Sequence, residues 1–220
     1  VLHALKEITG RDFGADLDLW KRWWDNRGEG FLPPPDKKSL WFPEHREESR
    51  YTTFYGLYVE ARHIVYVLDV SGSMTGQRLV QLKEELTRSI NIMTGEHAVN
   101  FIAFSDSVRK WQKGLVPMGE KKNRENALKF VSGLTAQGGT NFYDGLMEGL
   151  DEEQASALIV LSDGEPTVGR VVNTESILKA AMRLNREVQM RIHTVAIGEA
   201  DRDFMMRLAL SSGGTFKSIR

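Results

Sequence analysis

The sequence predicts an α/β domain built on an open, doubly wound and mostly parallel sheet with helices on both faces. Two patterns carry that expectation. Residues 64–68, 99–104, 158–161 and 192–197 are short, nearly continuous apolar runs rich in β-branched side chains, as strands covered on both faces are. Between them lie stretches with apolar residues at helical spacing, and strands alternating with amphipathic helices imply crossovers within one sheet. A third observation locates the interest: the first core run ends in "LDVSGSMTG", residues 68–76, where one carboxylate and two hydroxyls follow the apolar residues.

Composition bounds the function classes. The 220 residues suffice for one good core with a small appendage. Twenty-nine basic side chains face thirty acidic ones, nine and ten of them up to Arg50 and twenty of each beyond, so neither part carries a field that draws nucleic acid. Cysteine is absent, which removes disulfides, thiolate catalysis and cysteine-based zinc sites together. No apolar run approaches the roughly 18 residues of a membrane span, and no signal peptide is visible. A start at Val1 rather than Met leads us to expect a fragment.

The elements follow in order. Leu2, Leu5 and Ile8 form one helical stripe. A second helix is expected from an Asp16 cap to a stop before Gly28, with Leu17, Trp20 and Trp24 on one face. Those aromatics suit a ligand platform or a small helical core, and their helical spacing favours the core. Two helices of this size cannot bury such faces alone, so residues 1–27 read as the end of a longer helical array. Residues 28–50, with Gly28, Gly30 and three consecutive prolines at 33–35, read as a linker, and 51–220 as the main domain. Residues 54–59 suggest a short edge strand. Leu79, Leu82, Leu86, Ile90 and Met93 line one face of a long helix after the first core strand. Residues 108–116 suggest an edge hairpin, 121–131 a helix, and Gly138–Asn141 a glycine-rich loop leading into another helix. Helices are expected again near 174–185 and around Phe204, Leu208 and Ala209, and residues 215–219 close the sheet.

In sheets of this kind ligands bind beyond the carboxyl ends of the strands, at the topological switch point. The sequence puts small polar residues there: Asp69, Ser71 and Ser73 after the first core strand, Thr140 and Asn141 in the glycine-rich loop, and Ser162 and Asp163 after the third. Alone, each reads as a helix cap or a turn. Together they place two carboxylates in one crevice, where they repel unless a cation or proton intervenes. The neighbouring groups are hard oxygen donors, with no Cys and no suitably placed His. Oxygen-only ligation with few charges favours Mg2+ or Mn2+ over Ca2+. Asn141 and Asp144 are expected to support the loop by hydrogen bonds, and Glu165 to stand at its solvated rim. His63, His97 and His193 fall at or within strands and read as packed or edge histidines. Met205 and Met206 read as helix packing.

"VLDVSGSM", "GGTNFYDGL" and "LIVLSDGEPT", in this order, resemble the three metal-site loops of a von Willebrand factor type A (VWA) domain. The closing "IHTVAIGEADRDFMMRLALSSGGTFKSI" is similar to that family's last strand, helix and strand, and the resemblance spans residues 51–220. More loosely, the N-terminal stretch resembles the end of a HEAT-type helical repeat region, as found in some bacterial multidomain proteins. The VWA resemblance implies a Rossmann-like fold and an intact metal-ion-dependent adhesion site. On this chain Ser71 and Ser73 would ligate through their hydroxyls, Thr140 directly or through water, and Asp69 and Asp163 through water or directly. Gly72 would permit the tight turn, and Gly138 and Gly139 the close approach of the Thr140 loop.

The resemblance further implies Mg2+ as cofactor, with Mn2+ or Ca2+ as alternatives, and an open coordination position. An exposed Asp or Glu of a protein partner would fill that position. A non-enzymatic binding module, secreted, periplasmic or at a cell surface, is therefore the leading expectation, with neither nucleic acid nor direct membrane insertion involved. A second reading is an intracellular adaptor for an AAA-type ATPase. A third is a Mg-dependent phosphoryl-transfer enzyme using Asp69 as nucleophile. Against it, a haloacid-dehalogenase-type site needs a second Asp two residues on, where this chain has Ser71. A fourth, an array-capping domain with a vestigial site, sits poorly with five matching ligand positions. Oligomeric state is not fixed by the sequence.

Overall fold

The structure is a computed structural model that describes residues 17–21, 51–198 and 200–219. An antiparallel hairpin of β1 (Tyr51–Phe54) and β2 (Leu57–Glu60) precedes the first core strand, β3 (His63–Asp69). Helix α1 (Gln77–Ile92) leads to β4 (Ala98–Phe104) and the short β5 (Val108–Lys110) and β6 (Val116–Pro117). Helices α2 (Lys121–Ser132) and α3 (Phe142–Leu150) come next, then β7 (Ala157–Ser162), α4 (Thr174–Val188), β8 (Arg191–Ile197), α5 (Arg202–Ser211) and β9 (Phe216–Ile219). The main sheet runs β5-β4-β3-β7-β8-β9, parallel from β4 to β9 and antiparallel at β5. The chain steps outward from β3 to β4 and then returns to the other side of β3 as β7. The switch point therefore lies between the carboxyl ends of β3 and β7.

Alternation along the strands builds two cores. Ile64, Tyr66 and Leu68 of β3, with Ile159 and Leu161 of β7, pack under Leu82, Leu86 and Ile90 of α1 and Val131 of α2. Val65 and Val67, with Leu158 and Val160, face Leu146 and Leu150 of α3, Ile177 of α4 and Phe204 and Leu208 of α5. Since β3 and β7 are covered on both faces, every second residue is as apolar as its neighbour, which is why their runs read as continuous. Full burial of each aliphatic side chain contributes roughly 1.5–3 kcal/mol. That packing holds the strand ends, and the loops that leave them, in fixed positions.

Three segments depart from the sequence reading. Residues 54–59 are not one edge strand: a turn at Tyr55 and Gly56, both with positive φ (50° and 74°), divides them between β1 and β2. Phe54, Leu57 and Val59 join the α1-side core. Residues 108–116 do not pair with each other: β5 and β6 both run antiparallel to β4, at its two ends. Between them the Asn100 amide takes the place of a ladder partner, accepting from the Gln112 N–H (3.2 Å) and donating to the Gln112 carbonyl (3.0 Å). Met206 is largely exposed, whereas Met205 is packed.

Residues 17–21 are helical, with Trp20 buried. Leu17, at 74% exposure, does not share its buried face. The expected stripe of Leu2, Leu5 and Ile8, the position of Trp24 and the linker 28–50 lie outside the described residues. By contact density the chain divides into two units, Val1–Glu47 and Glu48–Arg220. No helix among the described residues is long and apolar enough to cross a membrane.

His63 opens β3 and is exposed, His97 lies just before β4 and is buried, and His193 is buried within β8. His193 on β8 accepts the Thr215 N–H at Nδ1 (3.2 Å), and burial, helped by Arg191, lowers its pKa to about 4. Its folded pKa lies below the ordinary 6.5, so the folded state binds fewer protons than the unfolded chain between those values. Its contribution to stability is complete above pH 6.5 and is lost as pH falls toward 4. Thermal unfolding followed across that range should show a flatter pH dependence in His193→Gln than in the parent protein. Equal slopes would mean that His193 is not held neutral by the fold.

Candidate metal centre at the strand ends

Three loops meet beyond the carboxyl ends of β3 and β7, and hydrogen bonds join them in a ring. The first begins at Asp69, whose carboxylate is buried. Its Oδ1 accepts the Ser71 N–H (2.9 Å) and its Oδ2 accepts the Ser162 hydroxyl (2.5 Å), tying the first loop to the end of β7. A 3-10 turn at Gly72–Met74, pinned by the buried Met74, then presents two hydroxyls on the same side. The Ser71 and Ser73 Oγ atoms are 3.0 Å apart, and Ser73 donates to Asp163 Oδ1 at 2.7 Å.

The second loop is laced to the first by the Gln137 N–H on the Val70 carbonyl (3.0 Å) and the Gly72 N–H on the Gly138 carbonyl (2.9 Å). Gly138 has φ +73°, and a Cβ there would fall 2.1 Å from Asp106 Oδ2. Asp106 fills that space and accepts the Gly139 N–H at 2.7 Å. Thr140 is buried and exchanges a pair of hydrogen bonds with the third loop. Its N–H donates to Thr167 Oγ1 (2.9 Å), and its carbonyl accepts the Thr167 N–H (3.0 Å). The Ser73 and Thr140 hydroxyls approach one point: a Cβ built on Gly164 would lie 3.8 Å from the first and 4.0 Å from the second.

Asn141 caps α3, accepting the Asp144 N–H at 3.3 Å and donating to Asp144 Oδ2 at 2.9 Å. Asp144 in turn accepts from Arg170 Nε at 2.6 Å. These two side chains thus hold each other and the third loop. Glu165 is exposed at the rim. Beside them a groove of about 650 Å3 carries Asp106, Asp144, Glu148, Asp151 and Arg170.

The structure brings together Asp69, Ser71, Ser73, Thr140 and Asp163, drawn from loops up to 94 positions apart in sequence. It also makes Asp106, Thr167 and Arg78, which the sequence does not single out, parts of the same assembly, and gives Ser162 a defined partner in Asp69. Arg78 lies in the first turn of α1 and donates from Nη1 to Asp163 Oδ2 at 2.5 Å. The two carboxylates therefore differ. Asp163 is ion-paired. Asp69 is held only by neutral donors, and burial pushes its pKa up to about 6, with the Ser162 and Ser71 hydrogen bonds opposing and the Asp163 charge adding to the rise.

Among the described residues no three His, Cys, Asp or Glu side chains gather into a metal cage. A cation at this rim would instead rest on hydroxyls with two carboxylates behind them. Such a donor set, all hard oxygen and nearly preassembled, fits Mg2+, Mn2+ or Ca2+ and suits soft metals poorly.

Fold and rim together define a class: an open α/β domain whose switch-point loops present a hydroxyl-rich oxygen cluster. Residues 63–219 match the family profile of the von Willebrand factor type A domain, and the chain belongs to that family. It is 31% identical over 179 residues to human inter-alpha-trypsin inhibitor heavy chain H4, a match covering 74% of this chain and 19% of that protein. Human heavy chain H3 is 36% identical over 126 residues, 52% of this chain and 14% of the relative. The chain thus spans less than a fifth of these relatives. Among solved structures, a von Willebrand factor type A protein from Catenulispora acidiphila superposes with a TM-score of 0.63 at 22% identity, covering 74% of this chain and 40% of that one. Proximal thread matrix protein 1 of the mussel byssus, described with a zinc-occupied MIDAS motif, superposes at 0.53 with 21% identity over 70% and 40% of the two chains. VWA domains generally mediate metal-dependent protein interactions.

The loop ring makes a specific demand at Gly169. Its φ is +104°, and a Cβ would fall 2.0 Å from Asn141 Oδ1, the atom that caps α3. Gly169→Ala should lower stability by about 1–3 kcal/mol, combining backbone strain with a disturbed cap. Urea denaturation measures it, and an unchanged midpoint would show that the third loop does not need this conformation.

Proposed function

We propose that the rim binds a divalent cation, Mg2+ first with Mn2+ or Ca2+ as substitutes, and that this cation captures an exposed Asp or Glu of a protein partner. The observation that carries the reading is the Ser71–Ser73–Asp163 hydrogen-bonded chain, with the Thr140 hydroxyl, from another loop, within 4.0 Å of the same point beside Gly164 as the Ser73 hydroxyl. Ser71, Ser73 and Thr140 would hold the ion through their oxygens, with Asp69 and Asp163 ligating it directly or through water. A cation held largely by neutral donors keeps much of its charge and is a strong acceptor for a further carboxylate. Asp69 does its work by fixing the loop: its two oxygens secure the Ser71 N–H and the Ser162 hydroxyl. Gly72 and Gly139 keep the loop backbones close, Asn141 and Asp144 brace α3 beneath them, and Glu165 stands where a partner would approach.

Asp69 is a poor nucleophile in this setting, being buried with both oxygens engaged. That speaks for binding over phosphoryl transfer. The partner is a protein rather than nucleic acid. We place residues 51–220 as the binding module and favour a secreted, periplasmic or cell-surface setting, in line with the similarity to inter-alpha-trypsin inhibitor heavy chains. An adaptor acting with an AAA-type ATPase would use the same rim.

Isothermal titration with Mg2+ and Mn2+ tests the site. Ser71→Ala and Asp69→Ala should each weaken binding at least tenfold, about 1.4 kcal/mol or more, while leaving the fold intact by circular dichroism. Retention of partner proteins from a lysate of the source organism should then require Mg2+ and fail in chelator. Full cation affinity in both variants, or a partner retained equally in chelator, would sink the metal-bridged mechanism.

A further inference from the structure

Arg78 is the basic side chain hydrogen-bonded to the proposed ligand residues themselves, Ser73 and Asp163, and its surroundings define what it does. Nη1 donates to Asp163 Oδ2 at 2.5 Å and to the Ser73 carbonyl at 3.3 Å. Nη2 lies over Gly198, just past β8, where a Cβ would come within 2.6 Å of it. The guanidinium is thus laid in a slot left open by a residue without a side chain. Its exposure differs sharply from its partner's: the Arg78 side chain is 36% exposed and that of Asp163 is 0%. Arg78 can therefore leave toward solvent, whereas Asp163 cannot.

Both oxygens of Asp163 have protein donors, Oδ1 the Ser73 hydroxyl and Oδ2 Arg78. A buried carboxylate with no counter-charge is strongly unfavourable, so something must neutralise it in the metal-free protein. We infer that Arg78 is a built-in counter-ion that keeps the site assembled in the absence of the cation and competes with the cation for Asp163. The inference rests on the cation reading given above and adds a residue that sets its affinity. An arriving divalent ion meets a fixed positive charge on the carboxylate it must share. Binding then either proceeds against that repulsion or displaces the guanidinium toward solvent. Either way the site is tuned toward weaker and more readily reversed cation binding than its oxygen donors alone would give.

The test measures Mn2+ and Mg2+ affinity by calorimetry, and thermal unfolding with chelator or with excess Mg2+, for the parent protein, Arg78→Gln, Arg78→Met and Arg78→Lys. The two uncharged variants should bind the cation about tenfold more tightly or better. They should also unfold at lower temperature in chelator and recover more on adding Mg2+ than the parent does. Arg78→Lys keeps the charge and should stay near the parent affinity, which a purely structural role for the planar fork would not produce. Should one uncharged variant fail to fold, the other carries the comparison. Equal affinity in all four proteins, or weaker binding in the uncharged pair, would overturn the inference while leaving the cation reading in place. No cation binding by any of the four would overturn both.

Discussion

Two carboxylates buried side by side are the constraint on which this domain's working end depends. Asp69 closes β3 and Asp163 follows β7, and these strands are direct parallel neighbours, with Leu68 opposite Leu161. Carboxylates so placed are costly unless each oxygen finds a donor or a counter-charge. The chain meets that demand with short groups from adjacent loops: the Ser71 N–H and Ser162 hydroxyl for Asp69, the Ser73 hydroxyl and Arg78 for Asp163. Two of the residues that solve the burial problem, Ser71 and Ser73, bring their hydroxyls within 3.0 Å of each other at the strand ends. The hydroxyl-rich rim is thus a consequence of how the carboxylates are accommodated.

Those donors are useful only if their positions are fixed, and the fold supplies the fixing in layers. β3 and β7 are clamped between α1 and α2 on one face and α3, α4 and α5 on the other. The loops are then joined to one another: Val70 to Gln137, Gly72 to Gly138, Thr140 to Thr167, and Ser73 to Asp163. Asp106, from the loop after β4, fills the space that the positive φ of Gly138 leaves free. These joins link side chains from distant stretches of sequence at one rim.

Much of this was legible because a buried parallel strand has an unmistakable pattern and a polar residue directly after it marks the sheet's rim. Asp69, Ser71, Ser73 and Asp163 announce themselves in that way, and Thr140 does so through the glycine-rich loop that opens a helix. Their supporting residues do not. Arg78 sits in the first turn of a helix, where a long cation ordinarily faces water, and only the return of the chain at β7 brings Asp163 to it. Asp106 reads as a turn residue until the positive φ of Gly138 opens the space it fills. Hairpin formation at residues 54–57 was hidden because Tyr55 takes a positive φ that its residue type rarely adopts. The split of β5 and β6 depended on the Asn100 side chain standing in for backbone, which periodicity does not record.

The proposed divalent cation sits against the Ser71, Ser73 and Thr140 hydroxyls. Adding substoichiometric Mn2+ to isotopically labelled protein and following amide signals by NMR tests this most directly, since the paramagnetic ion broadens only what lies near it. The account predicts that the amides of Ser71, Gly72, Ser73, Thr140 and Gly164 broaden first, and that Mg2+ in excess restores them. Broadening centred on the acidic groove of Asp106, Glu148 and Asp151, or no selective broadening, would contradict it.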